Sequence, residues 1–82
     1  MSEPGPTIEV LLHAQLRYYN GGSEETSLPH TPGATVAEYL EQLAIPDHEY
    51  MGLIIDGTLT TKTTAVLAPG TVLELMPAMS GG

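Results

Sequence analysis

The chain has no cysteine among its 82 residues. That absence excludes a disulfide staple, a thiolate zinc site and a sulfur nucleophile, so reactive chemistry has to sit on another group. Phenylalanine and tryptophan are missing too, which leaves leucine, isoleucine, valine, methionine and the four tyrosines to fill a core. Positive charge is scarce: Arg17 and Lys62 face ten acidic residues, for a formal net charge of -8. A surface of that sign repels phosphate backbones and anionic lipid. Nucleic acid and membrane are therefore not expected as partners, and a protein with a basic or apolar docking face is. No apolar run approaches the roughly 18 residues of a membrane span, and the opening residues lack the basic start and apolar core of a signal peptide. A soluble, cytoplasmic protein is expected. A chain this short allows one small domain, which buries only about 60 to 65% of its unfolded surface.

What is present is well punctuated. Residues 1 to 6, with Pro4 and Pro6 around Gly5, show no apolar periodicity and read as a flexible lead-in. Residues 7 to 13 alternate, so a strand is expected with Ile8, Val10 and Leu12 toward the core and Glu9, Leu11 and His13 away. Over residues 14 to 22, Leu16, Tyr18 and Tyr19 allow either a continued strand or a turn of helix before Asn20-Gly21-Gly22 breaks it. The stretch is read as a connection ending in a tight turn. Residues 23 to 28 resemble a polar second strand paired back on the first, with Glu24 and Glu25 on a solvated edge.

Pro29, Pro32 and Gly33 mark a loop, and Thr35 followed by Glu38 has the spacing of a capping box. A helix should start there and present Val36, Tyr39, Leu40, Leu43 and Ala44 on one side until Pro46 ends it. Leu53-Ile54-Ile55 followed by Asp56-Gly57 and then Thr58 and Leu59 is a strong hairpin signal, with a polar loop over residues 60 to 64. Ala68-Pro69-Gly70-Thr71 predicts a type II turn feeding a last strand over residues 72 to 76. There Leu73 and Leu75 should face the helix, with Val72, Glu74 and Met76 facing away.

Strand, strand, helix, strand pair, strand in one sheet under one helix is an α+β, β-grasp pattern, assigned to residues 7 to 76 with a tail over residues 77 to 82. If the last strand lies beside the first, Leu11, Val72 and Met76 form an apolar patch on the uncovered face, which is either a docking surface, as exposed apolar patches commonly are, or ordinary surface. Arg17 is either a docking contact or a surface charge. His13, His30 and His48 lie far apart without ligand spacing, so solvated surface is expected and a metal site is not. The tail, Met76-Pro77-Ala78-Met79-Ser80-Gly81-Gly82, has no charged side chain, so the carboxylate of Gly82 is the candidate reactive centre. Lacking Cβ atoms, Gly81 and Gly82 can thread a passage too narrow for a side chain. With Met79 and Ser80 they complete a segment that reaches about 20 Å beyond Met76 when extended.

With these elements in order, the chain resembles the MoaD and ThiS sulfur-carrier proteins of the ubiquitin-like β-grasp fold, closer to the MoaD side. The likeness covers about residues 7 to 82. It rests on the opening strand running into Ala14-Gln15-Leu16-Arg17, on Pro32-Gly33-Ala34-Thr35-Val36-Ala37-Glu38-Tyr39-Leu40, on Asp56-Gly57, on Pro69-Gly70-Thr71-Val72 and on Pro77-Ala78-Met79-Ser80-Gly81-Gly82. Members often carry aromatic residues where this chain has Leu11 and Leu12, and Pro-Pro-Val-Ser where it has Pro-Ala-Met-Ser.

The resemblance implies a mixed β-sheet with one main helix packed on one face and a flexible C-terminal diglycine tail. It also implies a carrier with no bound cofactor and no active site of its own. A MoeB/ThiF-type adenylating enzyme, using MgATP, would activate the Gly82 carboxylate, which then becomes a thiocarboxylate. The sulfur would pass to an acceptor such as a MoaE-like large subunit in molybdenum/tungsten cofactor (molybdopterin) biosynthesis. Three alternatives stay open: a ubiquitin-like modifier conjugated to lysines through Gly82, a ThiS-like carrier serving another pathway, and an interaction module whose terminal glycines are incidental.

Overall fold

The alternation that opens the chain becomes strand β1, Thr7–Leu12, whose Ile8, Val10 and Leu12 are fully buried while Glu9 is exposed. The computed structural model describes residues 5 to 78, so most of the expected lead-in and the last four tail residues lie outside the described residues. Strand β2, Glu25–Pro29, pairs antiparallel with β1, placing Leu28 opposite Ile8 and Thr26 opposite Val10. As an edge strand it tolerates Pro29 at its end, where no ladder amide is needed.

The other neighbour of β1 is the last strand, β5, Val72–Pro77, running parallel with Val10 beside Leu73 and Leu12 beside Leu75. Strand β3, Tyr50–Ile55, pairs antiparallel with β5, and β4, Thr58–Thr60, closes the sheet on the far side of β3. The order β2-β1-β5-β3-β4 makes one mixed sheet with β5 in the middle. Asp56 and Gly57 between β3 and β4 both have positive φ, 48° and 88°, as a two-residue type I′ hairpin turn requires. The turn is tied to β5. The Asp56 amide donates to the Val72 carbonyl at 2.9 Å, and the Val72 amide donates to Asp56 Oδ1 at 2.9 Å. The type II turn is present as well, with Gly70 at φ 81° and the Thr71 amide donating to the Ala68 carbonyl.

Helix α1, Val36–Gln42, buries Val36, Tyr39 and Leu40, and Thr35 Oγ1 caps it by accepting from the Glu38 amide at 3.4 Å. It stops short of the expected end at Pro46. Ala44 takes φ 59°, its amide donates to the Glu41 carbonyl, and the Ile45 amide donates to the Leu40 carbonyl. These are the two bonds of a Schellman ending. Ala44 is therefore exposed rather than part of the apolar stripe, and Ile45, one residue on, turns into the core.

The connection after β1 takes the helical alternative. Ala14–Asn20 is a 3-10 segment that buries Leu16 and is ended by Gly21 at φ 61°. A second 3-10 turn, Asp47–Glu49, leads into β3, which starts at Tyr50, three residues before the apolar run. The core also differs in composition from the expectation. Among the described residues its buried cluster contains no methionine and one tyrosine, Tyr39, with Tyr19 and Tyr50 half-buried against it. The Tyr39 hydroxyl is satisfied by the Thr31 amide at 2.9 Å, which is what permits a phenol at full burial.

Candidate functional site

The register decides which side chains the sheet leaves uncovered. Leu73 and Leu75 on β5 point into the core, so Val72, Glu74 and Met76 point to the opposite face. In β1 that face carries Glu9 and Leu11, and Leu11 lies beside Glu74. Leu11 and Met76 are half-buried and Val72 is 36% exposed. The three expected docking residues therefore flank Glu74 rather than meeting in a continuous apolar spot. His13 Nε2 approaches Glu74 Oε2 at 2.6 Å, so a hydrogen-bonded polar pair occupies the middle of the face.

The apolar part continues where the sequence reading did not place it. Ile54 lies opposite Glu74 on one side and Leu59 on the other, which puts Ile54 and Leu59 on the uncovered face. Leu59 is 65% exposed. A Cβ placed on Gly52 would sit 3.4 Å from Leu59 Cδ1 and 3.5 Å from Met76 Sδ, so these two side chains lie over that glycine. The missing side chain at Gly52 gives them a seat. A signal for this was available, because a two-residue Asp56-Gly57 turn pairs Ile55 with Thr58 and hence Ile54 with Leu59. Toward β2 the face turns acidic and polar, with Glu9 opposite Ser27 and Glu25 opposite Leu11.

The second feature is the point where the last residues join the fold. The Ala78 amide donates to the Glu49 carbonyl at 2.9 Å, and the Ala78 carbonyl accepts from Gln15 Nε2 at 3.0 Å. Glu49 is itself held, since its carboxylate accepts from the Tyr19 hydroxyl at 3.2 Å. Burial, reinforced by the bond to the Glu49 carboxylate and by its charge, raises the Tyr19 phenol above its ordinary value. Burial, with Asp47 adding to it, does the same for Tyr50. Ala14, Gln15, Arg17, Tyr18, Gly22 and Glu49 line an open groove beside this point. Arg17 reaches Glu24 at 3.8 Å across solvent, and Tyr18 is 82% exposed. Met79, Ser80, Gly81 and Gly82, the expected tail residues, lie outside the described residues.

His13 and His30 are less solvated than expected, and His48 is exposed as expected. Besides His13, the His30 ring bonds the Leu67 carbonyl at 2.8 Å and is half-buried, while His48 is exposed beside Glu49. Among the described residues, no three of His, Asp or Glu gather closely enough to hold a metal ion. No helix among them is long and apolar enough to cross a membrane.

A mixed sheet of this order with one α-helix over one face defines a ubiquitin-like β-grasp protein. The chain belongs to the ThiS family, whose model matches residues 10–82. It is thereby a small ubiquitin-like sulfur-carrier protein, of a kind that works with an adenylating enzyme and a sulfur-accepting partner. Among solved structures it is similar to the solution structure of the Haloferax volcanii HVO 2177 protein, at 19% identity and a TM-score of 0.73, covering 100% of this chain and 92% of that one. At that identity the likeness concerns the fold alone. No curated protein matches the chain.

Proposed function

We propose that this protein is a sulfur carrier whose Gly82 carboxylate is adenylated by a MoeB/ThiF-type enzyme and converted to a thiocarboxylate. We further assign it to molybdenum/tungsten cofactor biosynthesis, as the small subunit of a synthase with a MoaE-like partner. The observation that carries the reading is the family match, which runs through residue 82 and so includes Gly81 and Gly82. The motifs at Ala14-Gln15-Leu16-Arg17 and Pro32-Gly33-Ala34-Thr35 support the resemblance to the MoaD and ThiS carriers taken together.

The chemistry follows from the carboxylate. Its negative charge repels nucleophiles and oxide is a bad leaving group, so it must first be activated. A carboxylate oxygen attacks the α-phosphorus of MgATP, pyrophosphate leaves, and an acyl adenylate remains. Hydrosulfide attacking the acyl carbon expels AMP and leaves the thiocarboxylate directly. A protein persulfide gives an acyl disulfide instead, which a thiol reductant cleaves to the same product. The carrier needs no general base for these steps, because a partner that holds the reactants in line removes most of the entropic barrier. The uncovered face with Leu11, Ile54, Leu59, Val72 and Met76 is the docking surface for that partner, and Arg17, in the groove beside Ala78, is a further contact.

The test is to incubate the protein with candidate activating enzymes, MgATP and a sulfur source, and to measure its intact mass. A gain equal to one oxygen-to-sulfur exchange on Gly82 is expected. Deletion of Gly82 should abolish it without changing the unfolding transition. Normal sulfur transfer by the deletion variant, or recovery of the protein only as conjugates joined through Gly82 to lysine amines, overturns the carrier assignment.

A further inference from the structure

Resting on the carrier reading above, a positioning role can be assigned to a residue away from the reacting group. We propose that Gln15 sets how the terminal carboxylate is delivered, by holding the backbone of Ala78, the residue to which the last four are joined. Ala78 is the end of the described chain, one residue beyond β5, and both of its backbone polar groups are held by other parts of the fold. The bond to the Glu49 carbonyl continues the pairing of β5 with the segment before β3. The bond from Gln15 Nε2 comes from the opposite side, from the turn after β1. The bond to Glu49 holds the peptide that precedes Ala78 and the bond from Gln15 holds the carbonyl that leads on from it, so Ala78 is tied at both of its backbone polar groups.

The local backbone is arranged for this contact. Ala14, exposed and immediately before Gln15, has φ 52°, a conformation that L residues seldom adopt. The Leu16 amide donates to the His13 carbonyl at 3.0 Å, closing a tight turn with Leu16 buried and Gln15 exposed beside Ala78. Packing of Leu16 requires the chain to turn into the core, but it does not require a long amide donor at position 15. Such strain persists where the surroundings over-determine it, and it clusters at working sites.

Gln15 touches neither the carboxylate nor any reacting atom, so its effect should appear in turnover rather than in docking. In steady-state adenylation with the cognate enzyme, Gln15→Leu, which keeps the bulk and loses the donor, should lower kcat. A fall of roughly three- to tenfold corresponds to the loss of one hydrogen bond, with KM for the carrier unchanged. Gln15→Lys, which restores a donor on a stem of similar reach, should recover most of the loss. In the free protein, the backbone order parameter of Ala78 should fall in Gln15→Leu and return in Gln15→Lys. Wild-type turnover by Gln15→Leu, an unchanged Ala78 order parameter, or a loss confined to KM overturns the positioning role. A wild-type chain that no adenylating enzyme activates overturns the carrier reading instead, and the positioning role falls with it.

Discussion

Strand β5 lies at the middle of the sheet and shows two different surfaces to the molecule. On one side Leu73 and Leu75 are fully buried in a cluster shared with Val36, Tyr39 and Leu40 of α1. On the other, Val72 and Met76 stand on either side of Glu74, which is bonded to His13. The covered side is apolar except where a polar group finds a partner, as the Tyr39 hydroxyl does in the Thr31 amide, because an unpaired polar group is costly once α1 closes over it. The open side mixes apolar side chains with the His13–Glu74 pair. It can remain wet in the free protein and still offer a partner apolar area to cover. Alternate residues of one strand therefore serve different ends, folding on one side and, in the function proposed above, docking on the other.

That division predicts effects of different size and kind. The largest is on the covered side. Leu75→Ala should cost roughly 2 to 5 kcal/mol of unfolding free energy, as truncation of a buried leucine does. For a chain of this size that is much of the total, at about 0.05 to 0.15 kcal/mol per residue. Urea unfolding measures it, and a loss below about 1 kcal/mol would erase the contrast between the faces. A smaller effect belongs to the open side. Leu59→Ser, at a side chain 65% exposed, should leave stability within about 0.5 kcal/mol. Its binding to the activating enzyme should weaken by about fivefold, or roughly 1 kcal/mol. Calorimetric titration reads this directly, and unchanged affinity would remove the β4 end of the face from the docking surface.

Most of the architecture was legible because the signals were local. Alternation over residues 7 to 13, the Thr35 cap, the Asp56-Gly57 turn and the Pro69-Gly70 turn each fix backbone angles within a few residues, and all four are present. The assignments that changed depend on contacts distant in sequence. Whether residues 14 to 20 turn or extend is settled by Leu16 reaching the core, and where α1 stops is settled by Ile45 doing the same. Tyr50 joins β3 by pairing with Pro77 across a register shift next to Gly52, which no pattern in the apolar run announces. The open face was half visible. Leu11, Val72 and Met76 follow from alternation alone, whereas Ile54 and Leu59 need the hairpin register. The bonds at Ala78 join residues more than sixty positions apart in one case, Gln15, and almost thirty in the other, Glu49, and no local signal carries such a pairing.

The end of α1 allows the finest test of the covered side, because there the backbone rather than the packing is under strain. Ala44 sits at φ 59°, where an L residue is disfavoured by about 1 to 2 kcal/mol and glycine is not. The two amide bonds that close the helix, from Ala44 to Glu41 and from Ile45 to Leu40, are made by backbone groups that glycine keeps. The exposed methyl of Ala44 has little burial to lose. Against the relief stands the greater freedom of glycine in the unfolded chain, worth about 0.4 to 1 kcal/mol. Ala44→Gly should therefore stabilise the protein by roughly 0.5 to 1 kcal/mol, seen as a higher urea midpoint at an unchanged slope. A lower midpoint would mean that seating Ile45 depends on the alanine methyl restricting the turn, and the covered side would then owe part of its order to a residue outside it.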